Sequence, residues 1–138
     1  MLLEDEVVDA VVALLEANGW TISTIAHAHQ HGDDIVAEKG QRTLRVEAKG
    51  AGSSKQGTKR YGLAFTRNQV GSHIGVAVMR ALAWVSVGED QAALALPDNQ
   101  HHRSRIEGVR AALQALGIGV FWVDEARAAR WEGPWDLA

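Results

Sequence analysis

The stretch from Gly32 to Lys49 restricts the fold more than any other part of the chain. Two runs, Asp34 to Glu38 and Thr43 to Lys49, alternate apolar with polar residues and are separated by a turn containing Gly40, the short-range signature of a β-hairpin. A two-residue loop with Gly40 first, as a type II′ turn prefers, sets Lys39 opposite Arg42, Ala37 opposite Leu44, Ile35 opposite Val46 and Asp34 opposite Glu47. Apolar then faces apolar. Shifted by one residue, Asp34 would face Val46 and Ile35 would face Arg45, mixing the buried and solvated sides, which a half-buried hairpin resists. Directly opposed residues have Cβ atoms roughly 4.5–5.5 Å apart, and Lys49 shares the face of Glu47 through the two-residue strand period. The hairpin therefore draws two carboxylates together with an ammonium beside them.

A chain of 138 residues is one domain, long enough to bury its own core. It has no cysteine, which excludes a disulfide framework and a thiolate metal site. No apolar run approaches the length of a membrane span, and the N-terminus is acidic where a signal peptide would be basic, so a soluble, cytoplasmic protein is expected. The net charge of −3 hides an uneven distribution. From Ala48 to Gly88 the chain carries Lys49, Lys55, Lys59, Arg60, Arg67 and Arg80 with no acid, whereas before Lys39 it carries only acids. Such asymmetry allows a local basic surface on an acidic protein, although solvated loops and helix faces explain any one such run as well.

Leu3, Val7, Val8, Val11, Val12, Leu14 and Leu15 recur at helical spacing and Gly19 follows, which predicts an amphipathic helix from about 2 to 18. Glu4 falls on its buried stripe, as a frayed end or as a group aimed at something beneath; the other acids fall on the solvated side. Trp20 to His27 reads as a strand pairing with the hairpin. His27, His29 and His31 at its end alternate to one side, which allows a zinc site or simply a polar strand end.

Residues 50–62 are Gly/Ser-rich and basic, with Tyr61, a loop whose backbone amides, lysines and aromatic suit a phosphate backbone. A helix is predicted from Thr66, its N-cap, as far as Val85, with Val70, Ile74, Val78, Ala81 and Val85 toward the core. Gln69, His73 and Arg80 line another side, and Gln69 in the first turn is a further site candidate. Ala92 to Pro97 reads as a strand. Ser104 and Glu107 have capping-box spacing, with Ile106, Val109, Leu113 and Leu116 as the stripe of a helix that Gly117 ends. Ile118 to Val123 is a buried strand, and Trp131 and Trp135 in the tail cover an edge.

This order of helix, three strands, helix, strand, helix and strand, with Asp34, Glu47 and Lys49 at these places, resembles the PD-(D/E)xK nuclease superfamily, nearest its Holliday-junction resolvase and Mrr-like branches, which place an acid on the first helix before a Gly-aromatic turn, here Gly19-Trp20. The likeness runs from the first helix through Gln69. Asp33 stands where the motif has proline, and Glu4 lies about a turn farther from the glycine than the pattern. The resemblance implies a restriction-endonuclease-like α/β fold, an αβββαβ core with a mixed central sheet flanked by helices. It implies a Mg²⁺- or Mn²⁺-dependent nuclease acting on nucleic acid, with DNA ahead of RNA. Asp34, Glu47 and the Ala48 carbonyl would hold the metal, and Lys49 would orient or deprotonate water or stabilise developing charge. Glu4 and Gln69 would complete the site. Lys55, Lys59 and Arg60, with Arg67 and His73 on the next helix, would contact the nucleic acid. A surface salt bridge would explain Glu47 and Lys49 alone, but opposed like charges at Asp34 and Glu47 are destabilising unless a cation lies between them. A non-catalytic nucleic-acid- or partner-binding module on the same fold is the alternative. Oligomeric state is open; a homodimer would let so small a domain address two strands.

Overall fold

The hairpin forms in the expected register. In the computed structural model, which describes residues 1–26, 32–53 and 62–138, strand β2 (Ile35–Lys39) pairs antiparallel with β3 (Arg42–Ala48), and Ile35 meets Val46, Ala37 meets Leu44 and Lys39 meets Arg42. Gly40 has φ +60° and Gln41 keeps a negative φ, as a type II′ turn requires. On the far side of β2 lies β1 (Thr21–Ile25), antiparallel, with a bulge between Ile22 and Thr24.

The remaining strands complete a mixed sheet. Helix α2 (Arg67–Val87) carries the chain from β3 to β4 (Gln91–Pro97), which lies parallel to β3. Helices α3 (Gln100–Glu107) and α4 (Arg110–Ala115) lead to β5 (Ile118–Val123), parallel to β4, and β6 (Ala129–Glu132) closes the edge antiparallel. Among the described residues the sheet has six strands in sequence order. An α/β fold with a mixed open sheet and helices is thus present.

Strand alternation sorts the core into two layers. Ile35, Ala37, Leu44, Val46, Ala93, Ala95, Phe121 and Val123 pack against the apolar stripe of α1 (Glu4–Ala17), where Val7, Val8, Val11 and Leu15 are fully buried. On the other face Ala92, Leu94, Leu96, Val120 and Trp122 meet Val70, Ile74, Ala77 and Ala81 of α2 and Ile106 and Leu113 beyond it. Val78 and Val85, expected in the core, are only partly buried against it. By length and composition α2 could cross a membrane, contrary to the expectation that no run approaches that length. Here it lies along the sheet over β3 and β4 and against α3.

Two expectations about the C-terminal half are corrected. Asn99, not Ser104, starts the helix after β4: its Oδ1 accepts the His102 amide at 3.0 Å, and Ser104 is already inside the helix. The helix then breaks at Gly108 and Val109, so Ile106 and Leu113 are buried while Val109 and Leu116 are exposed. The tail is itself a strand. Trp131 on β6 packs on Phe121 and Trp135, with ring centroids 4.6 Å and 4.4 Å away.

The N-terminus of α1 is stitched to the end of β3. The Ala51 amide donates to the Leu2 carbonyl at 2.7 Å, and a Cβ on Gly50 would lie 2.5 Å from the Glu4 amide nitrogen. Backbone on both sides leaves nothing flexible to yield. Gly50→Ala is therefore expected to lower stability by ~1–3 kcal/mol, as overpacking does. Gly75→Ala, in open space on α2, should be neutral or raise stability by up to about 1 kcal/mol. Urea denaturation of both variants reads the contrast; equal midpoints would show that α1 does not approach β3 this closely.

Candidate metal and phosphate site at the end of β3

Asp34 and Glu47 point to the α2 side of the sheet, opposite the α1 layer, by the alternation that buries Ile35 and Val46 beneath α1. Both are buried, with 9% and 5% of their surface exposed. The Asp34 carbonyl accepts the Ala26 amide at 2.9 Å, tying the residue to the end of β1. Its side-chain Oδ2 accepts the Ala48 amide at 2.7 Å, and its carboxyl lies close enough to that of Glu47 for the two to act on each other. Burial is the largest influence on the Asp34 carboxyl and pushes it up. The Ala48 amide pulls it down, while the charge and hydrogen bond of Glu47 and the charge of Glu4 push it up again, to about 8. Burial and the neighbouring carboxylates thus favour the protonated form of Asp34 at neutral pH.

Cations meet Glu47 on both oxygens. Lys49 Nζ lies 3.5 Å from Oε2, and Arg80 Nε, from the fourth turn of α2, lies 3.5 Å from Oε1. Arg80 Nη2 also donates to Asp33 Oδ1 at 2.7 Å. Asp33 pairs in turn with Arg45, whose Nε donates to Asp90 at 2.6 Å. His73, three residues past the end of the first turn of α2, packs edge-on against Phe65 with ring centroids 4.3 Å apart. Burial first, and the Lys49 charge second, hold its imidazole below the usual histidine range.

The structure thus brings together Asp34, Glu47 and Lys49, with Glu4 close enough to act on Asp34 and His73 close enough to feel Lys49. Ala48 is buried at the centre and gives its amide to Asp34. Gln69 serves as the N3 residue of a capping box: its side-chain oxygen accepts the Thr66 amide at 2.8 Å, and Thr66 Oγ1 accepts the Gln69 amide at 3.3 Å. Arg67 is exposed in the first turn of α2. Lys55, Lys59 and Arg60, and His27, His29 and His31, lie outside the described residues. Among the described residues no three His, Asp or Glu side chains gather as a ligand cluster; the pair is the acidic unit.

Sequence reasoning missed Asp33, Arg45, Arg80 and Asp90 as a connected set. Arg45 was detectable, since it precedes Glu47 by one strand period on the same face. No protein-family model matches the chain, and no curated protein matches it closely enough to count as a relative.

The raised Asp34 carboxyl links stability to pH. The unfolded chain releases this proton near 3.8 and the folded chain near 8, so between those values the folded state holds the extra proton and stability falls as pH rises. Asp34→Asn keeps an acceptor for Ala48 and a donor for Glu47 without the titration. In chelator, the variant should lose less stability than the parent between pH 5 and 8, and at pH 8 should exceed it by ~1–3 kcal/mol. Parallel pH profiles of the urea midpoints would remove the case for a buried proton on Asp34.

Proposed function

We propose that this protein is a divalent-metal-dependent nuclease that hydrolyses phosphodiester bonds of nucleic acid, DNA ahead of RNA, in the cytoplasm. The observation that carries the reading is the pair of buried carboxylates, Asp34 and Glu47, brought together by the hairpin with Lys49 3.5 Å from Glu47. Two carboxylates forced together at neutral pH need a proton or a cation between them. The order α1, β1, β2, β3, α2, β4 supports reading the fold as a PD-(D/E)xK core, and Asp34, Glu47 and Lys49 occupy the motif positions.

The donor set suits Mg²⁺ or Mn²⁺. Asp34, Glu47 and the Ala48 carbonyl offer oxygen alone, the ligand type of hard cations, and the raised Asp34 carboxyl marks a place where a positive charge is favoured. Bound there, the ion would polarise a phosphoryl oxygen and acidify water. Lys49, on the same face as Glu47, would hold that water or stabilise charge on the phosphorane. Glu4, at the start of α1, would add negative potential that favours the cation. His73 and Arg67 on α2 would contact the phosphate backbone.

A binding module that does not cleave is favoured by one observation: Lys49 and Arg80 already flank Glu47, which balances its charge without a metal. Cleavage separates the readings. With Mg²⁺ or Mn²⁺, duplex, single-stranded or branched DNA should be cut, and Glu47→Ala or Lys49→Ala should lower the rate by about 10²-fold or more while DNA binding is retained. Metal-independent binding with no cleavage of any of these substrates would establish the module instead.

A further inference from the structure

Four charged side chains outside the proposed metal set, Asp90, Arg45, Asp33 and Arg80, form a chain of alternating sign, and Arg80 leads it to Glu47. Asp90 accepts from Arg45 at 2.6 Å, Arg45 pairs with Asp33, Asp33 accepts from Arg80 at 2.7 Å, and Arg80 Nε stands 3.5 Å from Glu47. The two contacts of Arg80 differ in kind. The one to Asp33 is a short charge-assisted hydrogen bond, a fixed anchor. The one to Glu47 is longer than a hydrogen bond, an attraction between charges that can be given up without leaving a donor stranded, because 42% of the Arg80 side chain is exposed.

A divalent ion on Glu47 and a guanidinium beside the same carboxylate repel each other. Glu47 is almost fully buried, so the repulsion is poorly screened. The guanidinium is also the side chain best shaped to take two phosphate oxygens through parallel N–H groups. We propose that Arg80 is a phosphate ligand held in reserve: it stands beside Glu47, and when a divalent cation takes Glu47 it turns, still anchored by Asp33, to the phosphate of the bound nucleic acid. This inference rests on the nuclease reading.

The test uses binding rather than turnover. Mn²⁺ is titrated calorimetrically into the chelator-treated parent, Arg80→Gln and Arg80→Lys, and each protein is then titrated with a short DNA duplex in Ca²⁺. Removing the competing charge should tighten Mn²⁺ binding by roughly five- to tenfold and weaken duplex binding by a similar factor. Arg80→Lys, which restores the charge, should return both toward the parent. Urea midpoints of the three proteins should agree, since the side chain is half exposed. Mn²⁺ binding that is unchanged or weaker in Arg80→Gln would overturn the competition, and unchanged duplex binding would overturn the phosphate role, each leaving the nuclease reading intact. A parent that binds no Mn²⁺ would overturn that reading and this inference together.

Discussion

The site depends on the pairing of β2 with β3. On one face of that pair Ile35, Ala37, Leu44 and Val46 are fully buried beneath α1, and burying each of the three larger side chains is worth about 1.5–3 kcal/mol. On the other face the same pairing forces Asp34 against Glu47, a like-charge contact that is destabilising in an ordinary sheet. Slipping the register by one residue would turn that whole apolar set out of the core, so the carboxylates cannot escape each other that way. Their remaining recourse is chemical: one takes a proton, or a cation enters. A strained acidic pair is thus built from hydrophobic packing on the opposite side of a two-residue-period strand.

The neighbours of the pair are placed by the ends of the elements. β3 and β4 run parallel, so α2 must cross back over the sheet, and this puts its polar side, His73 and Arg80, above Glu47 and Lys49. Gly50 lets the first turn of α1 come against the backbone just past Lys49, which brings Glu4 from the other layer within reach of Asp34. The site therefore sits at the carboxyl end of a parallel strand, where open α/β sheets leave room for ligands. Contributions come from α1, the hairpin and α2, three segments that are distant in sequence.

What the sequence discloses follows from this division. The hairpin register was legible because alternation and Gly40 leave only one pairing that keeps apolar against apolar, and Asp34 rather than Asp33 follows from it. Helices α1 and α2 were legible from their stripes and from Gly19 and Thr66 at their ends. Ser104 and Glu107 misled because capping-box spacing says nothing of a helix that Asn99 has already begun, and Gly108 then divides the helix. β6 was missed because Ala129–Glu132 is four residues long and held by Trp131 rather than by its own alternation. The Asp33–Arg80 contact spans 47 residues, and no local pattern can announce it.

Asp33 stands where the motif of the proposed family has proline, and what it does there can be read from its partners. A proline there would fix one backbone angle and offer no charge. Asp33 instead accepts from both Arg45 and Arg80. These pairs are partly exposed, and pairs of that kind contribute roughly 0–1 kcal/mol, too little for stability to be their main effect. Their effect is positional. Asp90 and Asp33 hold Arg45 between them, Arg45 leaves Asp33 a fixed orientation, and Asp33 keeps the guanidinium of a long, flexible arginine in place beside Glu47. Without that anchor Arg80 would spread over many rotamers along α2, and the positive charge facing Glu47 would be an average rather than a position.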